Sequence, residues 1–188
     1  LKALVASAPS RYIYSDTISQ ARDFIHDTFE NAGLKNLRKQ EVKIQGSFLN
    51  LLSGKNPQTH NVIGEIQGSE DCWTILGAHY DSIPQSGPAP GVEDNGSGVS
   101  ALLLSAQKAG QLHANTKPRC SMVFIAFTGE EEGLLGSQHF VQEMVKNGKS
   151  SKCQNSDRSQ FNQNNFPEEC RFLQHNCNGV VIMDEISY

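Results

Sequence analysis

Four short stretches of the chain hold residue types suited to metal and proton-transfer chemistry. They are "GAHYDS" with His79 and Asp81, "PGVEDNGSG" with Asp94, "TGEEEGLLGS" with Glu130, Glu131 and Glu132, and "GVVIMD" ending in Asp184. Each alone has a commonplace reading. A histidine closing an apolar run is most often structural, glutamates before a glycine suit a solvated first helical turn, and an aspartate before a Gly-rich turn is a usual cap. Together they point elsewhere, because one imidazole and several carboxylates gathered at one place repel unless a cation sits among them. Zinc fits best, since it accepts mixed imidazole and carboxylate ligands, whereas calcium and magnesium sites rarely recruit histidine. Asp81 follows His79 by two residues, hence on the same face of a strand, where it can accept the other imidazole N–H.

A sheet must bring these residues together. Apolar, β-branched runs at 38–45, 61–67, 73–79, 121–127 and 179–184 predict strands. Between the later ones lie helical patterns starting near Gly96 (Val99, Leu102, Leu103, Ala106) and near Gly133 (Leu134, Leu135, Phe140, Val141, Val145). An earlier amphipathic helix is predicted from Asp16 to Gly33, with Asp16 as its N-cap and Gly33 as its stop. Strands alternating with helices predict an α/β sheet with parallel members. In such sheets ligands gather beyond the carboxyl ends of the strands, which is where all four stretches fall. The polar segment 146–178 is far longer than an ordinary helix-to-strand link and reads as an insertion, away from the ligand-bearing edge.

The 188 residues, 37% hydrophobic, suffice for one domain with a real core. A net charge of −4 argues against a nucleic-acid footprint, and no apolar run is long enough for a membrane span. The five cysteines lack a C-x-x-C pair. Cys153, Cys170 and Cys177 fall in loop-like sequence where an oxidising compartment would favour disulfides, while Cys72 and Cys120 border strands and suit small buried apolar positions equally well. This usage leans towards a secreted or extracytoplasmic protein.

"HYDS", "APGVEDNGSG", "FTGEEEGLLGS" and the strand ending in Asp184 resemble the di-zinc aminopeptidases of metallopeptidase family 28, of the secreted leucyl-aminopeptidase type. "SRYIYSDTISQARDFIHDTF" (10–29) is similar to that family's first helix. The resemblance implies a three-layer α/β sandwich with a mixed, mostly parallel sheet, of the phosphorylase/hydrolase-like di-zinc exopeptidase kind. It implies His79 and Asp184 as ligands of one zinc, Asp94 as the carboxylate bridging two, and Glu131 as a ligand of the second. Glu130 is then the general base, Asp81 the partner of His79, and the Asp94–Asn95 peptide bond cis. The implied substrate is a peptide with a free N-terminus, cleaved with a metal-activated water. A single-zinc glutaminyl cyclase and a metal-depleted binding domain are the alternatives. The family's second zinc takes a further histidine downstream of the Asp184 position, whereas His113, His139 and His175 all precede it. The expectation is therefore one catalytic domain over 1–188, truncated at its C-terminus, holding one zinc where the complete protein holds two.

Overall fold

The computed structural model describes residues 1–44, 58–84, 86–148 and 176–184. Its elements are α1 (Lys2–Ser7), α2 (Ile18–Asn31), β1 (Lys35–Lys43), β2 (Gln58–Ile66), β3 (Cys72–His79), α3 (Gly96–Leu112), β4 (Ser121–Phe127), α4 (Leu135–Gly148) and β5 (Asn176–Ile182). The strands form one sheet in the order β1-β2-β4-β3-β5. β3 pairs in parallel with β4 and with β5, whereas β2 runs antiparallel to both β1 and β4. Among the described residues the sheet is therefore mixed, as expected, but two of its four ladders are antiparallel, so it is not mostly parallel. Parallel neighbours need a crossover, and among the described residues helices stand between strands only from β3 onward, as α3 and α4. The alternation that signalled parallel pairing thus applied to β3, β4 and β5 alone.

Alternation along the strands sends side chains to two faces. On one face Val62, Ala78, Phe124 and Ala126 pack with Leu4 of α1, Ile25 and Phe29 of α2, and Val99, Leu102 and Ala106 of α3. On the other, Ile63, Ile75, Val123, Ile125 and Phe127 pack with Trp73 and with Phe140 of α4. Phe29 and Phe124 meet with ring centroids 6.2 Å apart, and Phe127 and Phe140 at 6.1 Å. Helices thus cover both faces.

α2 starts at Ile18 with Thr17 at the cap position, one residue after the expected cap. Asp16 is not the cap; its carbonyl accepts from the Ser19 hydroxyl, while Ser15, Thr17 and Ser10 hydrogen-bond among themselves and shape the turn before the helix. Gly33 does stop it. At φ +82° it lets its own N–H reach Glu30 O and the Leu34 N–H reach Phe29 O, which satisfies two carbonyls of the last turn.

Two further expectations change. The ends of the segment 146–178 belong to regular elements, because α4 continues through Gly148 and β5 begins at Asn176; the rest of the expected insertion, 149–175, lies outside the described residues. Cys72 and Cys120 form a disulfide, so they are not free apolar residues; they open β3 and adjoin β4, two strands in parallel register from Trp73 and Ser121. Cys177 lies on β5, exposed and free, and Cys153 and Cys170 lie outside the described residues.

Candidate metal centre

His79 is the last residue of β3, a strand flanked by β4 and β5, and it pairs across with Phe127. The ladders run slightly beyond the strands. Tyr80 N–H donates to Phe127 O at 2.9 Å, and Met183 N–H to Gly77 O at 2.8 Å. These bonds carry His79 and Asp184 to the same edge. Buried Tyr80 anchors the turn from below, its hydroxyl donating to His60 O at 2.8 Å.

Asp94 comes from the link between β3 and α3. The Asp94–Asn95 peptide bond is cis. Asn95 caps α3 by accepting from Gly98 N–H at 3.0 Å, and donates to Met183 O at 2.9 Å, which ties the helix start to the residue before Asp184. Upstream, Gly91 sits at φ +47°, and a side chain there would collide with the Asp94 carbonyl and with Arg11.

The result is a compact donor set. His79 Nε2 lies 3.1 Å from Asp94 Oδ1, 3.3 Å from Asp184 Oδ1 and 3.9 Å from Glu130 Oε2. One ligand atom each from His79, Asp94 and Asp184 falls within 4.8 Å of the others. The imidazole is buried, whereas Asp94 and Asp184 are open to solvent. On the far side of the ring, Nδ1 lies 3.6 Å from Oδ1 of fully buried Asp81. That is slightly long for a hydrogen bond, and no nearer acceptor faces this buried nitrogen. The same carboxylate accepts from the backbone N–H groups of Glu130 and Glu131, each at 3.2 Å. Asp81 therefore joins the β3 terminus to the turn after β4.

That turn is clamped at both ends by buried Asn61 of β2. Its amide donates to Gly136 O at 2.9 Å and its carbonyl oxygen accepts from Thr128 N–H at 3.1 Å. Glu131 stands outside the three-residue donor set, and among the described residues no second histidine joins it. A separate group, His26, Asp27 and Glu30, lies on the outer side of α2.

Burial works against a charged His79, but Asp81, Glu130 and Asp184 outweigh it and lift the imidazole to about 9. Without a metal, an imidazolium balances the carboxylates. Burial raises Glu130 above its ordinary value, opposed by His79 and supported by Asp81, Asp184 and Asp94. Glu131 is raised by burial and then by Asp94 and Asp81, and Glu132 by burial and Asp81.

Sequence reasoning overlooked Arg11, Asn61 and Asn95. An arginine in an aromatic stretch and an asparagine opening "NVIGEIQ" carry no pattern that marks burial; Asn95, directly before a helix with Gly98 three residues on, had an ordinary capping signal.

Known proteins resemble this chain in sequence and in fold. A profile described as peptidase family M28 matches residues 61–167, more than half of the chain. A probable leucine aminopeptidase of Arthroderma otae is 31% identical over 181 residues, covering 90% of this chain and 45% of the relative. The chain thus spans less than half of that relative's length. Among solved structures, a leucine aminopeptidase precursor from Bacteroides thetaiotaomicron superimposes with a TM-score of 0.68 at 19% identity, over 98% of this chain and 59% of that one. A glutaminyl cyclase of the same organism, bound to N-acetylhistamine, gives 0.66 at 18% identity over the same shares. At such identities the two structures speak for the fold alone.

Proposed function

Since the chain belongs to peptidase family M28, we propose that it acts as a zinc-dependent aminopeptidase, hydrolysing the N-terminal peptide bond of peptides within one catalytic domain. The observation that carries this is the His79, Asp94 and Asp184 donor set with Asp81 behind it and Glu130 beside it. The donors suit zinc: one imidazole and two carboxylates are the makeup of an open catalytic site with room for water. His79, Asp94 and Asp184 would hold one ion, and Glu131 with a share of Asp94 would contribute to a second in the complete protein. Zinc there would polarise the scissile carbonyl and lower the pKa of a bound water.

The protein's own groups have distinct tasks. Asp81 faces Nδ1 of the His79 ring, where a small approach would let it accept that N–H and fix the ring with Nε2 towards the carboxylates. Glu130, half-buried and raised above an ordinary carboxylate, is suited to take a proton from the attacking water and return it to the leaving amine as the C–N bond breaks and the C–O bond forms. The disulfide between Cys72 and Cys120 fits an extracytoplasmic setting. Among the described residues no helix is long and apolar enough to cross a membrane.

A second reading, a single-zinc glutaminyl cyclase, draws support from the shared fold and from the sheet edge, where the described residues form one donor set, His79, Asp94 and Asp184. Leucine p-nitroanilide and an N-terminal glutamine peptide, offered to the zinc-loaded protein, separate the two. Hydrolysis of the first is expected; cyclisation of the second without it would reverse the assignment. Glu130→Gln should keep its zinc and lose about 10²–10⁴-fold in turnover. A fully active variant would remove Glu130 from the proton-transfer role.

A further inference from the structure

Behind the donor set lies a fully buried cation that the proposed chemistry does not use. Arg11, in the strap between α1 and α2, donates from Nε to Tyr80 O and from one terminal nitrogen to Gly91 O, both at 2.7 Å, and from the other to Pro90 O. Its backbone adds two more ties: its N–H donates to Ala89 O at 2.9 Å, and its carbonyl accepts from Ser82 N–H at 3.1 Å. The neighbouring Ser10 hydroxyl accepts from Ala89 N–H, and the Ser82 hydroxyl donates to Ala89 O.

These contacts share one target. Tyr80 lies between His79 and Asp81, and Pro90 and Gly91 stand just before Asp94. One guanidinium thus holds both ends of the link between the imidazole and the carboxylate that faces it. Among the described residues its hydrogen-bond acceptors are neutral carbonyls and no carboxylate forms a contact ion pair with it, so its charge is met by the field of Asp81 and Asp94. Burial lowers it to about 10, with those two aspartates pulling the other way, and it stays protonated at neutral pH.

We propose that Arg11 is a positioning residue of the metal centre: its planar fork, fixed on Tyr80, Pro90 and Gly91, presets the spacing of His79 and Asp94 before any metal arrives. The inference rests on the zinc reading of the donor set. It also means that a residue outside the family-matched span, 61–167, positions two donors inside it, His79 and Asp94. A lysine in its place would keep the charge but lose the fork that reaches three carbonyls in different directions.

The test measures zinc affinity of the metal-stripped chain by competition with a chromophoric chelator, alongside thermal unfolding, for wild type, Arg11→Met, Arg11→Lys, Ile63→Ala and His79→Ala. Ile63 belongs to the cluster on the opposite face of the sheet, so its substitution reports loss of stability alone. Both Arg11 variants are expected to bind zinc about 10–100-fold more weakly, the usual cost of losing a residue that supports metal ligands, with Arg11→Met the weaker. Ile63→Ala should melt earlier and bind zinc as wild type does. Wild-type affinity in Arg11→Lys, or equal weakening in Ile63→Ala at matched loss of stability, would overturn the proposal; if Arg11→Met does not fold, Arg11→Lys decides by the same criterion. His79→Ala separates the two levels: unchanged zinc binding there sinks the metal reading itself and Arg11 with it, whereas loss of binding in His79→Ala beside unchanged Arg11 variants sinks the role of Arg11 alone.

Discussion

His79 lies buried at a strand end with carboxylates on both sides of its ring, so its protonation is part of the fold. Its ordinary value is 6.5 and in the metal-free protein it is raised to about 9. A folded pKa above the unfolded one contributes stability that is fully present below the unfolded value and is lost as pH rises through the folded one. The metal-free chain is therefore expected to lose stability between about pH 6.5 and pH 9, and His79→Gln should flatten that loss in urea titrations across the range. A wild-type curve as flat as the variant's would show that Asp81, Glu130 and Asp184 do not hold the proton on the ring. At this scale the sequence was informative. The convergence of His79, Asp94 and Asp184 was legible because each closes or follows an apolar run, and charge repulsion among them pointed to a cation. Arg11 was not, because a single arginine reveals nothing about burial until the carbonyls that surround it are known.

Among the elements, the disulfide and the metal centre occupy opposite ends of β3. Cys72 opens the strand and His79 closes it, about 23 Å away at the usual rise per residue. The bond closes a loop with a sequence separation of 48 residues, and removing a crosslink of that size costs about 2–4 kcal/mol. The paired substitution Cys72→Ser with Cys120→Ser is expected to lower the unfolding free energy by that amount and to leave zinc affinity unchanged. A matching loss of zinc binding would mean that the two ends of β3 are coupled. The strand and helix runs were legible, since apolar periodicity marks them; partner strands and the cysteine pairing were not. β2 pairs with β4 instead of following β3 because pairing is decided by neighbours in space, and no local pattern encodes which edge a strand joins.

Among the described residues of the whole molecule, β5 occupies one edge of the sheet, and Val180, Val181 and Ile182 are 54%, 51% and 55% exposed. Alternation places Val180 and Ile182 on one face and Val181 on the other, so none of the described elements covers either face of this edge. An uncovered apolar edge strand offers both its side chains and its free backbone groups to another chain. The 188-residue chain is expected to self-associate with rising concentration, and Val181→Lys to shift sedimentation towards the monomer. Identical sedimentation of the two would place any association elsewhere.

Composition, apolar periodicity and the placement of polar residues at strand ends were enough to determine an α/β domain and the chemical character of its donor set, because those features depend on the order of residue types along the chain. Tertiary structure alone decided that the sheet is half antiparallel, that Cys72 meets Cys120, that Asp81 bridges the β3 terminus to the Glu130–Glu131 turn, and that Arg11 and Asn61 hold the two loops of the site. Each of these depends on which groups lie opposite one another across strands and loops. A buried charge or amide takes its role from the partners it finds there, and those partners come from distant parts of the chain.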